Sequence, residues 1–274
     1  MGSDSEGTGG AESTSGERTT QGSDGDSADD GVSTTGDDSG STAEPIEDEP
    51  QLDHAAWNPD SAAFEFSHES VPSISVVGAP ADADPSRSAM LHDGTNQLLY
   101  LMQEGADAVY QLDFDPGLAT YVHDGAPSIP LVDFPGYADR SSFAMLHDGG
   151  RYRLYFLSVD HPLRLIQGAF DPDAGAFVHG FASIPEIDVV GTPAGSDWSG
   201  WAALNDGETF RLYVFASAAH DSVFEHTYDG MQYQFGLEVA EPIGLTMIPN
   251  DADRDDFAML HNGTTPSLYL RGEP

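Results

Sequence analysis

Between residues 51 and 274, apolar positions come in short runs that Gly, Pro and Asp repeatedly interrupt. "FAML" at 143–146 and "RLYFL" at 153–157 are typical, with the polar stretch "HDGGRY" between them. No long stripe of apolar residues at 3.6-residue spacing is present, so the pattern argues against amphipathic helices. Runs of this length bounded by turn residues predict short β-strands and an all-β domain.

The runs recur. "SAMLHDGTNQLLYLM", "FAMLHDGGRYRLYFL", "WAALNDGETFRLYVF" and "FAMLHNGTTPSLYLR" are four copies of one motif, anchored at Leu91, Leu146, Leu204 and Leu260 with spacings of 55, 58 and 56 residues. A Tyr follows each anchor by nine residues (Tyr100, Tyr155, Tyr213, Tyr269), and an Asp precedes it by seven (Asp84, Asp139, Asp197, Asp253). Asp-Gly or Asn-Gly between two apolar runs is a strong hairpin signal. A one-residue change in either arm would turn every side chain to the wrong face, which explains the fixed length.

Four strands can be read per repeat. Strand a is "SISVV", "SIPLVDF", "SIPEIDVV" and "PIGLTMI"; strand b is the "FAML" run; strand c is the "RLYFL" run. Strand d is "AVYQLDF", "RLIQGAF" and "SVFEHTY", ending in turns at Asp115-Pro116, Asp171-Pro172 and Asp229-Gly230. A further strand d, "LDHAAWNPD", precedes the first full repeat, with Trp57 in the slot of Phe114, Phe170 and Tyr228, whereas the C-terminus stops after strand c. A repeat near 50 residues points to a solenoid or a propeller. Joining the orphan strand d to the C-terminal repeat closes a ring and removes the exposed edge. The expectation is therefore a four-bladed β-propeller over residues 51–274, with four antiparallel strands per blade.

The alternation of "FVHGFASIPEI" with "DGETFRLYVF" resembles the hemopexin-type propeller, and the regularity is similar to that of lectin propellers such as the tachylectins. Where the hemopexin pattern has Asp-Ala-Ala, this chain has "ADADPSRSA", "YADRSSFA", "GSDWSGWA" and "DADRDDFA", and it lacks the closing disulfide. The resemblance implies a binding platform.

Composition sets the N-terminal part of the chain apart. Residues 1–50 hold 14 acidic residues, one Arg and no aromatic residue, and read as a disordered, self-repelling linker. Such tails resemble those that follow the lipidated Cys of bacterial surface lipoproteins, which implies a tether and a lipid anchor in a precursor. This sequence contains no Cys, so disulfides, thiolate metal sites and a Cys nucleophile are excluded. No signal-peptide pattern opens the sequence, and no apolar run nears the roughly 18 residues that span a bilayer.

The whole chain carries 47 acidic residues against 9 Arg and no Lys, a formal charge of −38; residues 51–274 carry 33 against 8, or −25. Such a surface repels nucleic acid and anionic lipid. It suits salty surroundings, divalent cations or cationic partners.

Candidate chemistry sits first in the turn between strands a and b. That turn holds Asp82 and Asp84, Asp139 with Arg140, Asp197 with Trp198, and Asp251, Asp253, Arg254, Asp255 and Asp256. Four copies would ring a central channel with carboxylates able to bind Ca2+ or another hard cation. The competing reading is turn chemistry, each Asp capping its own bend. The calcium-loop spacing D-x-D-x-D-G is absent. Asp84, Asp139, Asp197, Asp253, Arg140, Arg254, Trp198 and Trp201 are the candidate ligand-binding residues. His92, His147 and His261, with Asn205 in the same slot, would form a metal site only if they converged. With strand b away from the axis, their hairpin tips are expected to diverge. The repeated Tyr residues suit packing between blades or, alternatively, stacking on sugar. The connections "MQEGADAV", "LSVDHPLR" and "ASAAHDSV" vary freely, and His161, His220 and His226 show no recognisable spacing. G-x-S-x-G, H-E-x-x-H and phosphate-loop motifs are absent.

The expected function is a non-enzymatic, extracytoplasmic binding domain of a bacterial or archaeal cell, secreted or surface-tethered. Its expected ligand is carbohydrate or another surface polymer, bound multivalently. A protein-interaction scaffold and a hydrolase using unmarked carboxylates are the alternatives.

Overall fold

The computed structural model describes residues 50–66, 73–161, 163–182, 185–238, 241–250, 252–261, 263 and 265–272. The expected linker before residue 50 and the expected turn residue Asp251 lie outside the described residues, as do the side chains of Asp255 and Asp256.

Among the described residues there are twenty strands and no helix. β1 (Gln51–Asn58), β2 (Ala63–Phe66) and β3 (Ile74–Val77) precede the first copy of the motif. The first copy is β4 (Ala83–His92) and β5 (Gln97–Gln103), followed by β6 (Ala108–Asp115), β7 (Thr120–Val122) and β8 (Ile129–Val132). The second is β9 (Ala138–His147) and β10 (Tyr152–Ser158), then β11 (Arg164–Asp171), β12 (Ala176–His179) and β13 (Glu186–Val190). The third is β14 (Asp197–Asn205) and β15 (Phe210–Phe215), then β16 (Ser222–Asp229), β17 (Gln234–Leu237) and β18 (Ile243–Thr246). β19 (Ala252–His261) and β20 (Pro266–Gly272) end the chain.

Three antiparallel sheets, β4-β5-β6, β9-β10-β11 and β14-β15-β16, repeat one pairing pattern. The fourth is β19-β20-β1: the N-terminal strand pairs along β20, from Gln51 opposite Gly272 to Ala56 opposite Ser267. We call these the first, second, third and fourth units.

Strand a does not lie where the sequence reading puts it. β3, β8, β13 and β18 pair with the last strand of the preceding unit (β1, β6, β11, β16), at the outer edge. Strand b (β4, β9, β14, β19) is therefore the inner strand of each unit, and these four pack on one another. The reading also missed a strand. β2, β7, β12 and β17 each return beside strand d after a tight turn. In three of these turns the residue before the return strand is a non-glycine at positive φ: Ala62 at 50°, Ala119 at 53° and Tyr233 at 56°; in the fourth it is Gly175. Each of these added strands pairs in parallel with the strand a that belongs to a neighbouring unit. The outer strands so linked, β1-β3-β7-β6-β8-β12-β11-β13-β17-β16-β18-β2 and back to β1, form a ring of twelve.

The core follows the same scheme. It divides into four clusters, each between two neighbouring units. Leu98 and Tyr100 meet Phe143 and Phe156; Tyr155 and Leu146 meet Trp201 and Phe224; Tyr213 and Phe215 meet Phe257 and Leu268; Leu260 and Tyr269 meet Leu99 and Tyr121. Alternate residues of one strand thus serve opposite interfaces, as Ala144 and Met145 do. Each buried Leu or Phe contributes about 1.5–3 kcal/mol.

Ala55 tests the closure. It is fully buried, opposite both Phe66 and Leu268, where an added charge has no partner. Ala55→Glu is expected to cost about 3–5 kcal/mol in denaturant unfolding. A loss below about 1 kcal/mol would show that the joint between the chain ends contributes little.

Candidate functional site

The Asp-bearing turn is a break in the inner strand. Asp84 opposes Met102 and Ser88 opposes Leu101, so Pro85, Ser86 and Arg87 bulge out. The same irregularity follows Ala138, Asp197 and Asp253. Three of these carboxylates serve their own bulges. Asp84 Oδ1 accepts from the Ser86 amide at 2.9 Å, Asp139 Oδ1 from Ser141 at 2.8 Å, and Asp197 Oδ1 from Ser199 at 2.9 Å. The free lobes go to neighbours: Asp84 Oδ2 to Arg87 Nε at 2.5 Å, Asp197 Oδ2 to His220 Nε2 at 3.0 Å, and Asp253 lies 4.0 Å from Arg271. For Asp197, the His220 contact and the Ser199 amide hold the carboxyl below its ordinary range. This is the turn-chemistry reading of these residues, and no shared cavity collects the four.

Two of the other candidates have partners within the scaffold. Arg140 donates to the Ala138 carbonyl at 2.7 Å, pairs with Asp107, and lies 4.8 Å from the Phe156 ring centre. Trp201 is a core residue, 1% exposed, donating Nε1–H to Ser142 Oγ at 2.8 Å. Trp198 is half-buried beside His226, and Arg254 is half-buried in β19. The expected central channel is not open at this level. Ala89, Ala144, Ala202 and Ala258, with Met90, Met145 and Met259, fill the space between the inner strands.

The expected divergence of the hairpin tips is a second correction. Because strand b is innermost, His92, His147, Asn205 and His261 converge on one cleft of about 560 Å³ at the end of the inner strands. Asn205 Nδ2 donates to the His147 carbonyl at 2.5 Å. Burial, opposed by Asp206 and reinforced by His92, pushes His261 below its ordinary value. The neighbouring aspartates are spent. Asp93, Asp148 and Asp206 each cap their own turn through Oδ1. Among the described residues no group of three or more His, Asp or Glu is placed to hold a metal ion.

The more elaborate clefts lie between units. Register places one matching slot at each of the four interfaces. On one side Tyr100, Tyr155, Tyr213 and Tyr269 stand opposite Gln111, Gln167, Glu225 and His54. Two residues before each Tyr come Leu98, Arg153, Arg211 and Ser267. The facing unit contributes an aromatic pair: Phe170 with Phe177, Tyr228 with Phe235, Trp57 with Phe64, or Phe114 with Tyr121.

Two of these interfaces hold cavities. Between the third and fourth units, one of about 260 Å³ is lined by Arg211, Tyr213, Glu225, Trp57 and Phe64. Its polar wall is a connected set. Tyr213 donates to Glu225 Oε2 at 2.8 Å, Arg211 Nη1 donates to Glu225 Oε1, and Arg211 Nε donates to Asp206 Oδ2 at 2.6 Å. Burial pushes the Asp206 carboxyl up, but Arg211 and two turn amides outweigh it and hold the group below its ordinary range. Trp57 and Phe64 meet edge to face, 5.4 Å between centroids. Between the second and third units, one of about 390 Å³ is lined by Arg153, Tyr155, Gln167, Tyr228 and Phe210. Arg153 Nε donates to Asp148 Oδ2 at 2.5 Å.

Sequence reasoning missed both pockets, although their signal was present. "RLY" occupies copies two and three where copies one and four have "LLY" and "SLY". The repeated Tyr residues were read correctly as interface packing, being 1–5% exposed, and two of them also line the pockets.

No family model matches the chain, and no curated protein matches it. Among solved structures it is similar to AofleA from Arthrobotrys oligospora, at 16% identity and TM-score 0.29, covering 67% of this chain and 49% of that one. It is similar to the fucose-specific lectin from Aleuria aurantia, at 17% identity and TM-score 0.31, covering 68% and 54%. It is also similar to a protein described as a 6-phosphogluconolactonase from Bacteroides uniformis, at 13% identity and TM-score 0.30, covering 75% and 57%. The chain thus spans about half the length of these structures. Scores this low carry no argument about function.

At the interface of the fourth and first units, His54 stacks on Tyr269 at 4.7 Å, and neither ring nitrogen has a partner. Burial lowers its pKa to about 4, as it does for His226. Below the ordinary value of 6.5 the unfolded chain takes up protons that these two imidazoles refuse. Their contribution is thus complete above pH 6.5 and is lost as pH falls towards 4. Urea unfolding from pH 7 to pH 4 should show stability falling across this window. His54→Phe should flatten that slope; an unchanged slope would mean that His54 is not held neutral.

Proposed function

We propose that the chain is a four-bladed β-propeller with lectin-like activity. Its blades are the four units, and its glycan sites are the pockets beside Arg153 and Arg211. The observation that supports this reading most is the content of one cavity: Trp57 against Phe64 on one wall, and the Arg211–Glu225–Tyr213 set on the other. A pyranose has a C–H face that packs on an aromatic ring and hydroxyls that both donate and accept. The aromatic wall suits the first, the guanidinium offers donors, and the carboxylate offers acceptors. The polar groups hold one another in place before a sugar arrives, which lowers the ordering cost of binding.

Residues on a sheet, tied by register to a packed interface, also make a rigid site. One pocket, about 390 Å³, is at the small end of the ordinary range for ligand sites, roughly 300–1,000 Å³, and the other, about 260 Å³, lies just below it; both suit single sugar units of a larger glycan. Two such units on one body would raise avidity for a repetitive surface polymer. An extracytoplasmic setting, with the acidic N-terminal segment as tether, belongs to the same proposal. So does the resemblance of the repeat to lectin propellers.

The test is a glycan array, followed by calorimetry with methyl glycosides of fucose, galactose, mannose and N-acetylglucosamine. At least one should bind. Trp57→Ala and Arg211→Ala should each weaken the third–fourth site by about tenfold or more, the worth of a charged hydrogen bond or a stacked ring. A folded protein that binds no array glycan would overturn the reading.

A further inference from the structure

We propose that only two of the four equivalent interfaces bind sugar, because the other two are closed by their own side chains; this rests on the functional reading above. The four slots have the same register, so a perfect repeat would carry four sites. Two substitutions remove one of them. At the first–second interface Leu98 replaces the arginine, and Tyr152 of the second unit stands where Phe210 and Pro266 stand elsewhere. The Tyr152 hydroxyl donates to Asp93 Oδ2 at 2.9 Å, the carboxylate lobe that Arg153 and Arg211 occupy in their own units. Tyr100 is bonded to Gln111 at 2.9 Å, with no guanidinium beside the pair. The phenol therefore does for the turn what the guanidinium does in the second and third units, and its ring packs edge to face on Phe170, 6.4 Å between centroids.

At the fourth–first interface Ser267 replaces the arginine and His54 replaces the acceptor. His54 lies flat on Tyr269, 12° between planes, and covers that ring. Neither of its nitrogens reaches a partner. This interface thus has neither the guanidinium nor the carboxylate or amide that a hydroxylated ring needs.

The two open sites are unlike each other. Glu225 accepts from both Arg211 and Tyr213. Gln167 makes no such bridge, and Arg153 Nη1 is left without an acceptor. The second–third pocket therefore keeps unspent polar groups for a ligand, whereas the third–fourth pocket is preassembled.

Native mass spectrometry and calorimetry of the full chain, with each of the four methyl glycosides in excess, read the valence directly. Two sugars per chain are expected, falling to one in Arg153→Ala or Arg211→Ala and to none in the double variant. Saturation at one, three or four sugars would overturn this inference and leave the functional reading standing. Failure of every glycoside to bind would overturn both. The gain-of-site variant Leu98→Arg/Tyr152→Ala should bind a third sugar; if it stays folded by circular dichroism and still binds two, the closure assigned to Tyr152 is wrong.

Discussion

Every unit of this protein has two apolar faces and no helix to cover either. Tyr155 and Leu157 point to one neighbour while Leu154 and Phe156 point to the other. A three-stranded antiparallel sheet bare on both faces is not stable in water, so each unit depends on two others. Four units can satisfy this demand only if the first also meets the fourth. The pairing of β1 with β20 is how the chain provides that contact. It joins segments more than 200 residues apart in sequence. The entropic cost grows only logarithmically with that separation, but such non-local pairing slows folding.

The same constraint explains what the sequence makes visible. Hairpins are local, so the Gly94, Gly149, Gly207 and Gly263 turns, all at φ between 86° and 97°, are legible from Asp-Gly and Asn-Gly alone. The end-to-end joint is legible because an orphan strand at one end matches a vacancy at the other. Lateral order is not encoded locally. Strand a reads as an ordinary strand wherever it packs, and nothing in "SIPLVDF" says that it adds to the edge of the preceding unit. Placing strand a beside strand b moved the inner position to the wrong strand. From that one displacement came the expectation that His92, His147, Asn205 and His261 diverge. The missed strands fail for another reason. "TYV" is three residues long, too short for periodicity, and its turn uses a non-glycine residue at positive φ.

The carboxylates were legible as chemistry. Asp recurs at fixed spacing where a bulge needs an acceptor two residues back, and Asp84, Asp139 and Asp197 each meet that need. Regular spacing therefore marks scaffold. The pocket groups Arg153 and Arg211 mark themselves in the opposite way, by breaking the repeat at a slot that is otherwise Leu or Ser.

Charge then limits what these pockets can admit. Residues 51–274 carry a formal −25, and several of their arginines are committed to carboxylates. Arg87 is held by Asp84, Arg153 by Asp148, Arg211 by Asp206 and Glu225, and Arg164 by Glu186 and Asp188. Partly exposed pairs of this kind contribute little to stability, roughly 0–1 kcal/mol each. Their larger effect is to neutralise the guanidinium groups that line the pockets, so an anionic ligand meets repulsion at long range and an already paired arginine at short range. A neutral polyol has neither problem. On the proposed reading it would present hydroxyls to an already neutralised guanidinium and a C–H face to Trp57 or Tyr228, exchanging water for these contacts without the desolvation cost of a charge. The acidic surface and the arginine pockets are thus compatible only if the arginine acts as a positioned donor and not as a counter-ion.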